Sequence, residues 1–123
     1  MLAIHHVSFL ITDCEISEQF YSKVLGLEPS KSRPDLGFPG IWYDLKGLQI
    51  HLIQEKIPYH MDFIPEHGGR DRHLALSTKN LSNIINKLEQ MNISYTRSKS
   101  GRAAIFFRDP DLNVLEIIEN LER

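Results

Sequence analysis

The chain is poor in cysteine. Cys14 is the only one among 123 residues, so no internal disulfide braces the fold, which fits the reducing cytoplasm. No motif marks that thiol as reactive, and Cys14 reads as an inert residue near a helix start. A basic excess is also missing. Fourteen lysines and arginines face sixteen acidic residues, for a net charge of −2, so phosphate neutralisation gives no drive toward nucleic acid. Long apolar runs are absent as well. The longest, Ala103-Ala104-Ile105-Phe106-Phe107, is far too short to span a membrane. The start has no cationic stretch leading into an apolar segment and cleavage site, so secretion is not expected.

The rest belongs to an ordinary globular chain, with 41% hydrophobic and 24% charged residues, enough to bury one core. Ile4 to Ile11 alternates, with Val7, Phe9 and Ile11 apolar on one face and His6 and Ser8 on the other, as in a half-buried strand. Asp13 then predicts a helix cap, Ile16, Phe20, Val24 and Leu25 a helical face, and Gly26 its end. Glu28 to Arg33 is a weak strand candidate interrupted by Pro29. Ile41–Leu45 and Leu48–Ile53 read as strands around a Lys46-Gly47 turn. From Gln54 to Arg72 the periodicity lapses, and prolines and glycines mark a connector long enough to suggest a function.

The order then repeats. His73–Thr78 reads as a strand, and Asn80 as the cap of a helix with Leu81, Ile84, Ile85, Leu88 and Met91 on one face, ending at Asn92. Ile93–Arg97, Ala103–Phe107 and Val114–Ile118 read as three further strands. Gln49-Ile50-His51-Leu52-Ile53 parallels Val114-Leu115-Glu116-Ile117-Ile118, and Trp42-Tyr43-Asp44 parallels Phe106-Phe107-Arg108. The chain therefore reads as one domain, 1–123, built from two βαβββ units, 1–55 and 71–123, joined by a connector at 56–70.

Four matched strand positions carry His6, His51, His73 and Glu116. Alternation opposes each to apolar neighbours, so all four face away from the helices. One strand histidine is ordinarily structural. Three of the six histidines at symmetry-matched positions, with a glutamate at the fourth, point instead to a divalent transition metal. Two imidazoles and a carboxylate leave coordination positions open for substrate or water. His5, on alternation, faces the helix side, while His60 and His67 fall in the connector.

The segments IHHVSFLITDCEISEQFYSKVLGLE, LQIHLI, RHLALST and FFRDPDLNVLEII resemble the vicinal oxygen chelate superfamily over essentially the whole chain. That superfamily holds glyoxalase I, methylmalonyl-CoA epimerase, extradiol dioxygenases, and fosfomycin- and bleomycin-resistance proteins. The resemblance implies an α+β fold in which two tandem βαβββ units form a curved mixed sheet of half-barrels with helices outside. It implies a divalent ion (Zn, Ni, Mn, Fe or Co) held by His6, His51, His73 and Glu116. It also implies a small substrate chelated through adjacent oxygens, with lyase or isomerase chemistry ahead of thiol transfer or oxygen insertion.

His51 stands where glyoxalase I has Glu and the epimerase Gln, so it is a fourth ligand or a general base. Glu116 is then the carboxylate able to move a proton. A non-catalytic drug-binding protein of the bleomycin-resistance type is the alternative, with Trp42 and Phe106 as aromatic walls. Arg102 and Arg108 are candidates for an anionic substrate group. By fold analogy the chain forms a homodimer. Leu112 replaces the glycine usual in the family's turn, where positive φ is required, so that turn is expected to differ.

Overall fold

In the computed structural model, residues 1–56 and 64–120 are described. The chain is α+β and divides into two compact units, Met1–His60 and Met61–Arg123. No described helix is long and apolar enough to cross a membrane.

In the first unit, β1 (His6–Ile11) leads to α1 (Cys14–Leu25), then β2 (Gly40–Leu45) and β3 (Leu48–Gln54). The strands lie in the order β1-β3-β2, with β1 parallel and β2 antiparallel to β3. Asp13 caps α1 by accepting hydrogen bonds from the amides of Glu15 and Ile16, and Gly26 closes it in a left-handed conformation at φ 69°. The buried stripe is Ser17, Phe20, Tyr21 and Val24. Ile16, expected on that face, is 56% exposed, because the stripe is rotated by one residue and Ser17 takes the inner position. Cys14 opens the helix with its amide on the Gln54 side-chain oxygen. Burial, ahead of the opposing charge of Arg33, pushes its thiol pKa up, which keeps it protonated and unreactive.

The expected strand at Glu28–Arg33 is not formed. Only a single bridge, Pro29 to Tyr43, joins it to β2. Proline has no amide hydrogen to extend a ladder, and the next amide, Ser30, donates to Trp42 O at 2.6 Å.

The second unit keeps the full βαβββ order. It runs β4 (His73–Thr78), α2 (Leu81–Gln90), β5 (Tyr95–Arg97), β6 (Ala104–Arg108) and β7 (Val114–Glu119), arranged β4-β7-β6-β5. Asn80 caps α2 through the Asn83 amide, Leu81 and Leu88 are buried, and Asn92 turns the chain at φ 56°. One face of this sheet presents Leu76, Leu115, Ile117, Ile105 and Phe107. The row opposite runs Ala75–Glu116–Phe106–Thr96 across all four strands.

Residues 65–70, read from the sequence as part of a connector, lie across that second face as a strap ending in a 3-10 turn, Gly68–Arg70. The approach is close: a β-carbon on Gly68 would come within 2.7 Å of Val114 Cγ1 and 3.1 Å of Phe106 Cβ. Only glycine fits there.

The turn before β7 is also a correction. Leu112 takes φ 72°, so the chain keeps the left-handed turn despite lacking glycine. The buried Asp109 carboxylate enforces it by accepting from the Asp111 and Asn113 amides and from Asn113 Nδ2, while the Leu112 amide donates to Asp109 O.

Candidate metal centre

In the first unit the polar face of the sheet carries a column of rings. Trp42 and His51 are directly paired across β2 and β3, and their rings stack at 4.2 Å with 6° between planes. His51 stacks on His6 at 4.1 Å and 15°. His5 then meets His6 edge-on, with their Nδ1 atoms 2.9 Å apart. His5 lies just before β1 and is exposed beside His6, not on the helix side as alternation predicted, because the strand's alternation has not yet begun there. Trp42, expected to be an open wall, has one ring face covered by His51.

His51 Nε2 donates to Gln49 Oε1 at 2.9 Å, which leaves the Nδ1 lone pair available. Burial first, then the neighbouring His6, His5 and Arg33, lowers the His51 pKa against a smaller opposing pull from Asp44. The ring is therefore neutral at physiological pH, the form that can ligate a metal or accept a proton.

In the second unit His73 Nε2 lies 3.2 Å from Glu116 Oε1. Glu116 is only 3% exposed. Its Oε2 is buried without a hydrogen bond among the described residues, its nearest cation being the Arg102 guanidinium at 3.6 Å. His73 Nδ1 sits 2.8 Å from Asp71 O. A carbonyl can only accept, so Nδ1 carries the hydrogen, and Nε2 is the nitrogen that faces the carboxylate, with a lone pair wherever it carries no proton. Two lone pairs at that distance need a cation between them, a proton or a metal. A ligating imidazole oriented through its other nitrogen by a backbone carbonyl is the usual support for a metal ligand. With a carboxylate oxygen left unsatisfied beside it, the donor set fits a divalent ion.

Arg108 is held nearby by both of its terminal nitrogens. It donates to Asp71 Oδ2 (2.9 Å), Leu112 O (2.9 Å) and Pro65 O (2.6 Å), tying the strap to the sheet. Arg102 is more exposed and projects toward Glu116. Phe106 is buried, its ring edge-on to both His73 and His67. Among the described residues no three histidine, cysteine, aspartate or glutamate side chains gather to hold an ion. The donors occur as a pair in each unit. His67, given no role from the sequence, caps the 3-10 turn by accepting from the Gly69 amide and reaches Arg97 O with Nε2. His60 lies outside the described residues.

A duplicated α+β scaffold with metal-type donors at matched strand positions defines a class of small-molecule-binding proteins that includes metalloenzymes and drug binders. A family model for the Glyoxalase/Bleomycin resistance protein/Dioxygenase superfamily matches residues 3–117, and the chain belongs to that superfamily. It is 32% identical to glyoxylase I 4 of Arabidopsis thaliana, over 95% of this chain and 70% of that protein. Its fold is similar to that of a glyoxalase family protein from Bacillus anthracis, at TM-score 0.76 and 21% identity over 98% and 96% of the two chains. It is similar also to that of TnmS3, an antibiotic binding protein from Streptomyces sp. CB03234, at TM-score 0.71 and 16% identity over 97% and 96%.

Proposed function

We propose that the protein is a metal-dependent enzyme acting on a small molecule bound through two adjacent oxygens, with lyase or isomerase chemistry. The observation that carries this reading is the His73–Glu116 pair, a carbonyl-oriented imidazole facing a buried carboxylate whose second oxygen has no hydrogen bond. In this reading His73 and Glu116, with His6 and His51 of the first unit, hold one divalent ion. When bound, the ion supplies Lewis acidity that stabilises a developing enolate or alkoxide.

The chain's own residues supply the rest. Asp71 O fixes the His73 ring. Burial of Glu116 keeps water from competing for its oxygens. His51, held neutral, is the group that ligates or takes a proton from carbon next to the bound oxygens. Arg102 is proposed to meet an anionic substituent of the substrate. Arg108 is proposed to act as a tether for the strap, because its two terminal nitrogens already hold Asp71, Leu112 O and Pro65 O. A homodimer belongs to this proposal and is measured by light scattering.

Elemental analysis of purified Glu116→Ala and His73→Ala tests the reading. Loss of the metal in both supports it, and unchanged content in both overturns it. A metal-free preparation that still binds a flat aromatic ligand tightly favours instead a binding protein built on the Trp42 column.

A further inference from the structure

The loop that joins β5 to β6, residues 98–103, brings one cation to the buried carboxylate of the second unit. Side-chain contacts build it. Ser98 N donates to Ala104 O at 2.9 Å, which closes the loop on β6. Gly101 turns the chain at φ 86°, a conformation that residues with a β-carbon disfavour. Arg102 then donates twice to Ser100 Oγ, from its amide at 3.3 Å and from Nε at 3.2 Å. With both lone pairs of that oxygen taken, the Ser100 hydroxyl hydrogen goes to Ser98 Oγ, 2.7 Å away. The base of the guanidinium is thus held, and its terminal Nη2 lies 3.6 Å from Glu116 Oε2.

That contact is an ion pair without a hydrogen bond. Oε2 is closed to solvent and accepts no hydrogen bond among the described residues, and 3.6 Å is too long for one. The Arg102 side chain is 59% exposed, against 4% for Glu116, so it has room to swing into water. An exposed pair of this kind contributes little and is easily broken. Glu116 Oε2 is also the oxygen left over once Oε1 faces His73. A divalent ion about 2.0–2.2 Å from Oε2 would be repelled by a guanidinium in its present place.

We propose that Arg102 is a latch on Glu116: it lies over the carboxylate in the metal-free chain, leaves when Glu116 takes up its ion, and only then receives the anionic group of the substrate. The proposal rests on the function argued above and adds an order of binding to it, ion before acid. One guanidinium serves two anions in turn, first Glu116 and then a carboxylate or phosphate of the substrate. The motion is that of a side chain, since the Ser98 and Ser100 contacts hold the loop itself in place.

The test follows the Arg102 Nε–H signal by NMR in the full chain, with acetate as the probe anion and Zn(II) as the probe ion. E116Q removes the charge that holds the latch and keeps the shape of the side chain. In metal-free E116Q the Nε–H signal should leave its wild-type position, and acetate should then shift it saturably. In the metal-free wild type acetate should bind about threefold more weakly or less at that signal, and Zn(II) loading should restore the response. R102Q should bind Zn(II) about three- to tenfold more tightly than the wild type in competition with a chelating dye, with R102K close to the wild type. R102Q alters an exposed side chain, so this arm stands however E116Q folds. An arginine that only braced the loop would give the opposite sign, a weaker site in R102Q.

An Nε–H signal unmoved in E116Q, or equal acetate binding by metal-free wild type and E116Q, overturns the proposal. So does Zn(II) binding that is unchanged or weaker in R102Q, or a Zn(II)-loaded wild type whose Nε–H signal ignores acetate. Release of Arg102 in E116Q with no Zn(II) binding by any variant upholds the latch and contradicts the metal reading.

Discussion

The two units share a plan and differ in what they place on it. At matched positions the first has His6, His51 and Trp42, and the second has His73, Glu116 and Phe106. The first builds a parallel stack of rings. The second builds a buried carboxylate–imidazole pair with a phenyl ring edge-on beside it. The backbones differ in one strand: the Pro29–Tyr43 bridge stands where the second unit pairs Tyr95 with Phe107. Register and facing survived the duplication, while side-chain chemistry and edge pairing diverged. If the proposed ion is shared, the second unit would contribute charge to it and the first neutral nitrogen.

If that division holds, Glu116→Ala should weaken Zn(II) binding by about 100-fold or more, and His51→Ala by about tenfold, because loss of the lone carboxylate also leaves the site's charge uncompensated. Competition against a chelating dye measures both. Equal losses would erase the distinction between the units.

The strap gives the next largest effect, since the first unit has nothing like it among its described residues. Arg108→Ala removes three hydrogen bonds and leaves the largely buried Asp71 carboxylate with only the Arg72 amide as a hydrogen-bond donor among the described residues, which should cost about 2 kcal/mol. Hydrogen exchange should then rise at β6, β7 and residues 65–71 and leave β1–β3 unchanged.

The units should also separate in pH. Burial, followed by His6, His5 and Arg33, holds the His51 pKa below its ordinary value. Below about pH 6.5 the unfolded ring therefore protonates first, and stability falls as pH drops from there to the folded pKa. Asp71 behaves oppositely in origin. Burial opposes its ionisation, but the Arg108 hydrogen bond, the Arg72 amide and the two cationic charges outweigh it and hold its pKa down. Its stabilisation is present above the ordinary carboxylate range and lost as pH falls through the lowered value. In the metal-free protein, acid should weaken the His51 stack below the ordinary imidazole range and the Asp71–Arg108 contact only below the ordinary carboxylate range. Residue-resolved NMR across that range checks the order.

The smallest effect is at the turn before β7. Leu112 is 53% exposed and pays for its φ of 72° without packing in return. Leu112→Gly should raise stability by about 1 kcal/mol, read as a higher Tm.

Much of this was legible in the sequence because it follows from period. Alternation around Val7, Leu74, Ile50 and Leu115 gave the strands and the shared facing of the donors within each unit, and Asp13, Gly26 and Asn80 marked helix ends through local capping chemistry. What the sequence hid was non-local. Ile16 and Ser17 exchange places because a helix's rotation is set by what it packs on. His5 joins His6 because the strand begins two residues later than its pattern. The role of residues 65–70 depends on Gly68 fitting over Phe106 and on Arg108 reaching back to Pro65 O, contacts that no periodicity encodes. The Leu112 turn is decided by the Asp109 carboxylate, whose hydrogen bonds outweigh the residue's own preference.

The proposal that one ion draws on both units has a direct test. Trp42, the only tryptophan, reports on the first unit through its stack with His51. Titrating metal-free protein with Zn(II) should change Trp42 fluorescence saturably, and Glu116→Ala, a change confined to the second unit, should abolish that response at the same concentrations. A Trp42 response that persists unaltered in Glu116→Ala would contradict the shared centre.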